Sequence, residues 1–359
     1  MESSQKIRVG ILYGGRSAEH EVSLRSAKSI LDALDQERYE PVLVGIGRDG
    51  RWYLQDEAAI PAGESLSIGL DGEEVSLPAG SGGELVSLAS GRHIALDAVF
   101  PVLHGTYGED GTVQGLLRLA DVPFVGPSVL GSAVGMDKTV MKALLRDAEI
   151  PNARALVYRK GDEVRFSAVA SELGMPVFVK PANLGSSVGV SRAMDEASFH
   201  TAVEDAFRYD TKILVEEAIV GREIECAVLG NGDPQASVPG EIIPHAEFYS
   251  YEAKYLDPDG AGLVIPAQLG PETVERVRDI AIRTFRTLQC EGMGRVDCFL
   301  RENGEILVNE INTIPGFTSI SMYPKLWEAS GISYPELIDQ LIRLAIERHG
   351  RDAGLQTNR

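Results

Sequence analysis

Apolar residues along this chain gather in short runs separated by helix-spaced stretches, the pattern of strands feeding helices. Residues 6–13 (KIRVGILY) predict a buried strand, followed by a Gly14-Gly15 turn and a helix over about 21–34. A second strand is expected at 41–46, and 95–103 leading into 112–120 repeats the strand, turn and helix. The first third therefore predicts an open parallel sheet. Residues 61–92, rich in Gly, Ser and Glu, read as a surface excursion with one hairpin.

A helix at 137–148 ends before Pro151, where the pattern changes to short strands at 153–158, 176–180, 187–192 and 212–217 around a helix at 195–207. This predicts a smaller, separate lobe. Beyond residue 220, strands at 222–230 and 236–243 and a hairpin over 294–312 precede a final helix at 334–348. The expected class is α/β, α+β in part, in three units at 1–127, 128–219 and 220–350, with 351–359 as a tail.

A chain of 359 residues exceeds one hydrophobic core, which agrees with several domains and allows a site between them. The composition, 44% hydrophobic and 24% charged with no run apolar enough to cross a bilayer, is globular. MESSQK at the start lacks the basic-then-apolar layout of a signal peptide, so the expected location is the cytoplasm. Cys226, Cys290 and Cys298 have neither paired spacing nor a neighbouring histidine cluster and read as buried thiols, not a disulfide framework or zinc site. A net charge of −19 argues against a nucleic-acid partner, because phosphate backbones are held by clustered Lys and Arg. Any ATP site would need its positive charge locally.

Two nucleotide signatures fail. Gly45-Ile46-Gly47-Arg48-Asp49-Gly50 matches G-x-G-x-x-G in letters, but Asp49-Gly50 before Arg51-Trp52-Tyr53-Leu54 signals a hairpin, not the helix that a dinucleotide loop opens. No G-x-x-x-x-G-K-S/T occurs.

The hairpin over 294–312 is more informative. With Asn303-Gly304 as a two-residue type I′ turn, Asp297 falls opposite Glu310 and Arg295 opposite Asn312. Strand alternation projects these four from one face and Val296, Cys298, Leu300, Leu307 and Ile311 from the other. Two carboxylates directly across a strand pair, β-carbons about 5 Å apart, repel unless a cation lies between them. Two readings stay open: a hard ion such as Mg²⁺ on two acids and an amide, or a solvated polar face in which Arg295 neutralises Asp297.

Other segments carry candidate chemistry. VFVKPANLGSSVGV (177–190) joins strand to strand through small residues whose N–H groups can wrap an anion, with Lys180 as a point charge for phosphate. Taken alone, it reads first as a plain Gly/Ser hairpin. ILVEEAIVGRE (213–223) suits a hinge that presents backbone groups to an adenine edge, with Glu223 in reach of ribose, although glutamates ordinarily face water. The loops GGRSAEHE (14–21) and HGTYGEDG (104–111) follow strand ends, where open α/β sheets bind ligands. There Glu19 suits an ammonium and His104 a carboxylate, against a background of turn and cap chemistry.

Taken together and in order, GGRSAEHEVSL, HGTYGEDGTVQG, MDK, FVKPANLGSSVGVS, FYSYEAKY, GRVDCF and NEINTIPGFTS resemble the D-alanine:D-alanine ligase family of ATP-grasp enzymes, from about residue 6 to 348. The resemblance implies a three-domain ATP-grasp fold with an N-terminal open parallel α/β domain, ATP being clamped between the central and C-terminal lobes. It implies phosphate contacts from Lys138, Lys180 and the loop of Ser187, adenine contacts from the backbone of Glu216 and Ile219, ribose on Glu223, and Lys254 near the γ-phosphate. Asp297, Glu310 and Asn312 would ligate two Mg²⁺ ions, for which Mn²⁺ is a possible substitute. The first D-alanine's ammonium would meet Glu19, supported through Ser186 and Tyr255, with His104 near the reacting groups. Ser321 and the Met322 backbone would hold the second carboxylate, while Arg295 and the Gly316 N–H would steady the tetrahedral intermediate. A homodimer is implied too. Position 217 is glutamate where some relatives carry lysine, so no side-chain role is carried to it.

A carboxylate and an amine do not condense usefully at neutral pH. ATP would convert the first carboxylate to an acyl phosphate, a step accelerated by positioning and charge neutralisation. Attack by the second amine creates an oxyanion that preorganised donors stabilise, under a closing loop that excludes water. The expected product is D-alanyl-D-alanine for peptidoglycan precursors, and Tyr255 favours it over the D-lactate ester. The competing readings are a ligase using D-lactate or D-serine second, and a catalytically silent two-lobed binding module. Lys180, Lys254, Arg295, Asp297 and Glu310 speak against the module, and a nicotinamide oxidoreductase falls with the failed glycine fingerprint.

Overall fold

The computed structural model describes residues 6–56, 66–70, 72–244 and 261–356. The first unit holds β1 (Ile7–Gly14), α1 (His20–Ala33), β2 (Tyr39–Ile46), β3 (Trp52–Gln55), β4 (Glu73–Ser76), β5 (Glu84–Ser87), β6 (His93–Ala95), β7 (Ala98–Val102) and α2 (Thr112–Leu119). Its strands lie in the order β6-β5-β4-β3-β2-β1-β7. β1 is parallel to β2 and β7, but β3 to β6 add on antiparallel, so the expected parallel sheet is corrected to a mixed one. The described part of 61–92 extends this sheet instead of lying over it. Val75 and Leu85, in strands of only four residues that Gly and Ser turns mask in the sequence, are buried with Leu77 beside Val44 and Leu96. The Asp49-Gly50 turn does form a hairpin, with β3 antiparallel to β2.

In the second unit α3 (Val129–Met136) and α4 (Lys138–Asp147) lead to β8 (Ala155–Arg159), α5 (Phe166–Leu173), β9 (Val177–Pro181), β10 (Ser191–Ala193), α6 (Glu196–Tyr209) and β11 (Lys212–Glu217). The sheet order is β10-β9-β11-β8, antiparallel throughout. The strand expected at 187–192 shortens to β10, because Ser186 and Ser187 take φ of 51° and 59°, a left-handed backbone incompatible with a strand. Asp195 and Ser198 close a capping box that starts α6.

The third unit holds β12 (Arg222–Gly230), β13 (Gln235–Ala236), β14 (Gly240–Pro244), β15 (Ala261–Val264), α7 (Pro271–Thr287), β16 (Gly292–Leu300), β17 (Ile306–Asn312), α8 (Met322–Ala329) and α9 (Tyr334–Ala353). The single strand expected at 236–243 is two, β13 and β14. Ser237 Oγ accepts from the Ala227 N–H where the ladder breaks, and Pro239 offers no N–H to continue it. α3, α5, α7 and α8 are absent from the sequence expectation, although Pro271 at the first turn of α7 is an ordinary start signal.

One face of the first sheet shares a core with α8 and α9, where Phe100 meets Phe317 edge-on at 5.5 Å and Tyr323, Trp327 and Leu341 close the layer. Met141 and Leu145 of α4 join Phe285 of α7 and Val296 of β16 in a second core. The central sheet, α5 and α6 hold a separate cluster around Phe199, Val179 and Val215. Cys226, Cys290 and Cys298 are unpaired and buried, and burial pushes the thiols of Cys226 and Cys290 up to about 12, as inert structural residues. Among the described residues no helix is long and apolar enough to cross a membrane.

Candidate active site

The three units meet around a cavity of about 840 Å³. Of the expected site residues, Glu19, His104, Lys138, Ser186, Glu223, Arg295, Asp297, Glu310, Asn312, Gly316 and Ser321 line it. Lys180 stands behind that wall, its Nζ 3.5 Å from Asn309 Oδ1. Ser187, Glu216 and Ile219 are not part of the lining, and Lys254 and Tyr255 lie outside the described residues.

β16 and β17 are joined by a three-residue loop, not the expected two-residue turn. The Arg301 N–H bonds the Glu305 carbonyl at 2.9 Å, and only Gly304 of the Asn-Gly pair takes a positive φ, whereas type I′ requires two. Near the loop Cys298 faces Val308 and Phe299 faces Leu307. A bulge at Asn309 then shifts the register by one, so that Asp297 faces Glu310 and Arg295 faces Asn312 as the sequence predicts. The shift corrects one placement: Leu307 pairs with the cavity residue Phe299, and Ile306 and Val308 take the core positions. It also turns Asn309 and Glu310 together into the cavity wall.

A row of acids crosses three strands, because Glu225 on β12 faces Asp297, which faces Glu310. Arg295 relieves the repulsion. Its Nε and Nη2 each donate to an Asp297 oxygen at 2.7 Å, and Nε lies 2.8 Å from Glu225 Oε2. Asn312 Nδ2 donates to Asp297 at 2.8 Å, while Glu310 has Lys138 Nζ at 3.3 Å. In this arrangement the guanidinium lies between Glu225 and Asp297, and the Lys138 ammonium stands beside Glu310.

Lys138, the first residue of α4, reaches across the cleft to the Leu184 carbonyl at 2.8 Å. Deeper in, Glu216 is clasped on both oxygens, by Lys142 Nζ at 2.8 Å and Lys180 Nζ at 2.5 Å. Burial would raise the Glu216 carboxyl, but the two ammoniums outweigh it and hold it down at about 2.

On the opposite wall Ser186 Oγ donates to Glu19, tying the small-residue loop to the first unit. Gly105 makes room for this carboxylate: at φ 74° it has no Cβ, and one built there would meet Glu19 Oε2 at 2.5 Å. His104 is buried with Nδ1 3.0 Å from the Ile314 carbonyl, which fixes the proton on Nδ1 and leaves Nε2 to accept from Ser26 Oγ at 3.0 Å. Burial lowers its pKa despite the charge of Glu19, so the ring is neutral. Glu109 accepts from the N–H groups of Gly105 at 2.9 Å and Ile314 at 3.3 Å, so the peptide of residue 314 is held from both sides. Burial first, and Glu19 second, raise Glu109 to about 8.

The family model described as "D-ala D-ala ligase N-terminus" matches residues 8–127, and "D-ala D-ala ligase C-terminus" matches 144–343. The chain belongs to the D-Ala-D-Ala ligase family. The D-alanine--D-alanine ligase of Oceanobacillus iheyensis is 53% identical over 99% of both chains, and D-alanine--D-alanine ligase A of Escherichia coli is 50% identical over 98% of this chain and 99% of that one. Among solved structures, the D-alanine-D-alanine ligase from Coxiella burnetii aligns with a TM-score of 0.87 at 42% identity, covering 98% of this chain and 97% of that one. The VanG D-Ala:D-Ser ligase from Enterococcus faecalis aligns at 0.83 and 34%, covering 95% and 100%. The fold is therefore the ATP-grasp fold of this ligase family, as expected.

Within this family member, the sequence reading passed over Asn309, Glu225, Glu109 and Lys142. Glu225 carried a signal, being two residues from Glu223 and so on the same strand face. Lys142 lies one helical turn after Lys138. Asn309 had none, because a bulge is invisible in alternation. The acid pair and Asn312 supply only oxygen to a metal, on neighbouring strands of a cavity wall, a donor set that fits a hard divalent ion.

Proposed function

We propose that this enzyme joins two D-alanines into D-alanyl-D-alanine with ATP, through an acyl phosphate, for peptidoglycan precursor synthesis. One observation carries the reading. A chain 53% identical along its whole length to a D-alanine--D-alanine ligase gathers Glu19, Lys138 and the Asp297–Glu310 pair on one cavity.

Glu19, oriented by Ser186, receives the first substrate's ammonium, and the resemblance gives Tyr255 a supporting role toward it. Lys138 and Lys180 neutralise nucleotide phosphates, with Ser187 in the enclosing loop and Lys254 near the terminal one. The backbone of Glu216 and Ile219 meets adenine, and Glu223 meets ribose. Asp297, Glu310 and Asn312 would hold two Mg²⁺ ions, which supply charge neutralisation to the transferring phosphoryl group. His104 stands near the reacting groups, while Arg295 and the Gly316 N–H stabilise the oxyanion formed when the second amine attacks. Ser321 and the Met322 N–H, at the start of α8, receive the second carboxylate. The lobes are placed at 1–127, 128–219 and 220–350, in a cytoplasmic homodimer, on the strength of the resemblance.

The test is incubation of the purified chain with ATP, Mg²⁺ and D-alanine, followed by phosphate release and product mass. Stoichiometric phosphate and D-alanyl-D-alanine are expected. Phosphate without dipeptide, equal use of D-serine or D-lactate as second substrate, or dipeptide from L-alanine would overturn the assignment.

A further inference from the structure

We propose that Lys142 is a positioning residue: by balancing the charge of Glu216, it leaves the Lys180 ammonium available to a nucleotide phosphate. The inference rests on the reading of Lys180 as a phosphate-holding lysine.

Glu216 lies on β11, fully inside the protein, and each of its oxygens has its own lysine. Lys142 is wholly buried and donates in addition to the Ala153 carbonyl at 3.2 Å, so its ammonium is fixed on the side away from the cavity. Lys180 is on the other side, within 3.5 Å of the cavity residue Asn309. A buried carboxylate with a single lysine would form a closed neutral pair, and in a medium of low dielectric that pair competes strongly with any incoming anion. With two ammoniums on one carboxylate, a positive charge remains, and only the Lys180 end of the triad reaches the cavity wall, at Asn309. The titration behaviour agrees. Burial pulls both lysines down, Lys180 ends above its ordinary value through Glu216, and Lys142 ends below it.

A plain structural ion pair would share this geometry but not its consequence for binding. Calorimetric titration of ADP with Mg²⁺ into the full chain separates the two. Lys142→Met is expected to weaken ADP binding about tenfold, the scale of one charge-assisted contact, with the Michaelis constant for D-alanine unchanged. Lys142→Met combined with Glu216→Gln frees Lys180 again and should bind within about threefold of wild type. Wild-type affinity in Lys142→Met, or a double variant as weak as the single one, overturns the proposal. Lys142→Met alone leaves Lys180 and Glu216 as a matched pair, and the double variant leaves on Lys180 the one net charge that the wild-type triad carries, so weak affinity in the double variant overturns the proposal whether or not the single variant folds, and near-normal affinity supports it. Lys180→Met, run in parallel, should lose affinity. If it binds ADP normally, the premise about Lys180 falls and the proposal with it; if it alone is impaired, only the role of Lys142 falls.

Discussion

Glu225 and Asp297 face each other across β12 and β16 and share one nitrogen, Arg295 Nε, at 2.8 and 2.7 Å. The guanidinium would therefore keep a partner if Asp297 gave its oxygens to another cation. Replacing Glu225 with Gln should lower kcat about tenfold with the Michaelis constant for ATP within about twofold, since a charge-assisted contact to the oxyanion donor weakens while the nucleotide site is untouched. Steady-state kinetics with each substrate varied checks this, and an unchanged kcat would remove Glu225 from the site.

Asp297→Ala and Glu310→Ala should each cut turnover by about a thousandfold or more, the several kcal/mol expected of lost charge neutralisation at a phosphoryl group. The fold should survive, because Arg295 keeps Glu225 and Lys138 keeps the Leu184 carbonyl. Circular dichroism together with single-turnover phosphate release reads both, and near-normal turnover in either variant would refute the ligand assignment.

Gly105→Ala places a methyl group 2.5 Å from Glu19 Oε2, on a backbone at φ 74° that disfavours any side chain. Displacing this carboxylate should raise the Michaelis constant for D-alanine about tenfold or more, while left-handed strain costs about 1–2 kcal/mol of stability. ATP affinity should not change. Equal loss for both substrates would mean that the loop collapses as a whole.

Glu109 gives a pH signature of known sign. Its folded pKa of about 8 lies above the ordinary glutamate value of 4.5, so its protonated form is the one the fold favours. That stability is present below pH 4.5 and is lost as pH rises toward 8. Urea unfolding of wild type and Glu109→Gln across this window should show the difference moving in favour of the variant as pH rises, on top of a constant offset from the changed hydrogen bonds. A flat difference would refute the raised pKa.

The polar face of the candidate site was legible in the sequence because strand alternation and register are local rules. Asp297, Glu310, Arg295 and Asn312 came out opposite one another even though the turn was wrong, since the extra loop residue before Glu305 and the bulge at Asn309 compensate. What escaped depends on contacts distant in sequence. The mixed sheet arises from four-residue strands whose burial is set by partners elsewhere, and the clasp on Glu216 joins residues on α4, β9 and β11. Glu109 stood within a recognised motif, but its role as a brace for residue 314 is tertiary.

The separate cluster around Phe199 has a mechanical meaning. The oily contacts of that lobe are satisfied internally, and its ties across the cleft include polar latches: Ser186 to Glu19, the Leu184 carbonyl to Lys138, and Lys180 to Asn309. Parting it from the frame would expose little fresh apolar surface, but it would break those latches and the buried ion pair between Glu216 and Lys142 of α4. The central lobe is thus fastened to its neighbours by polar bonds and ion pairs, while the frame around it is held by packed apolar side chains.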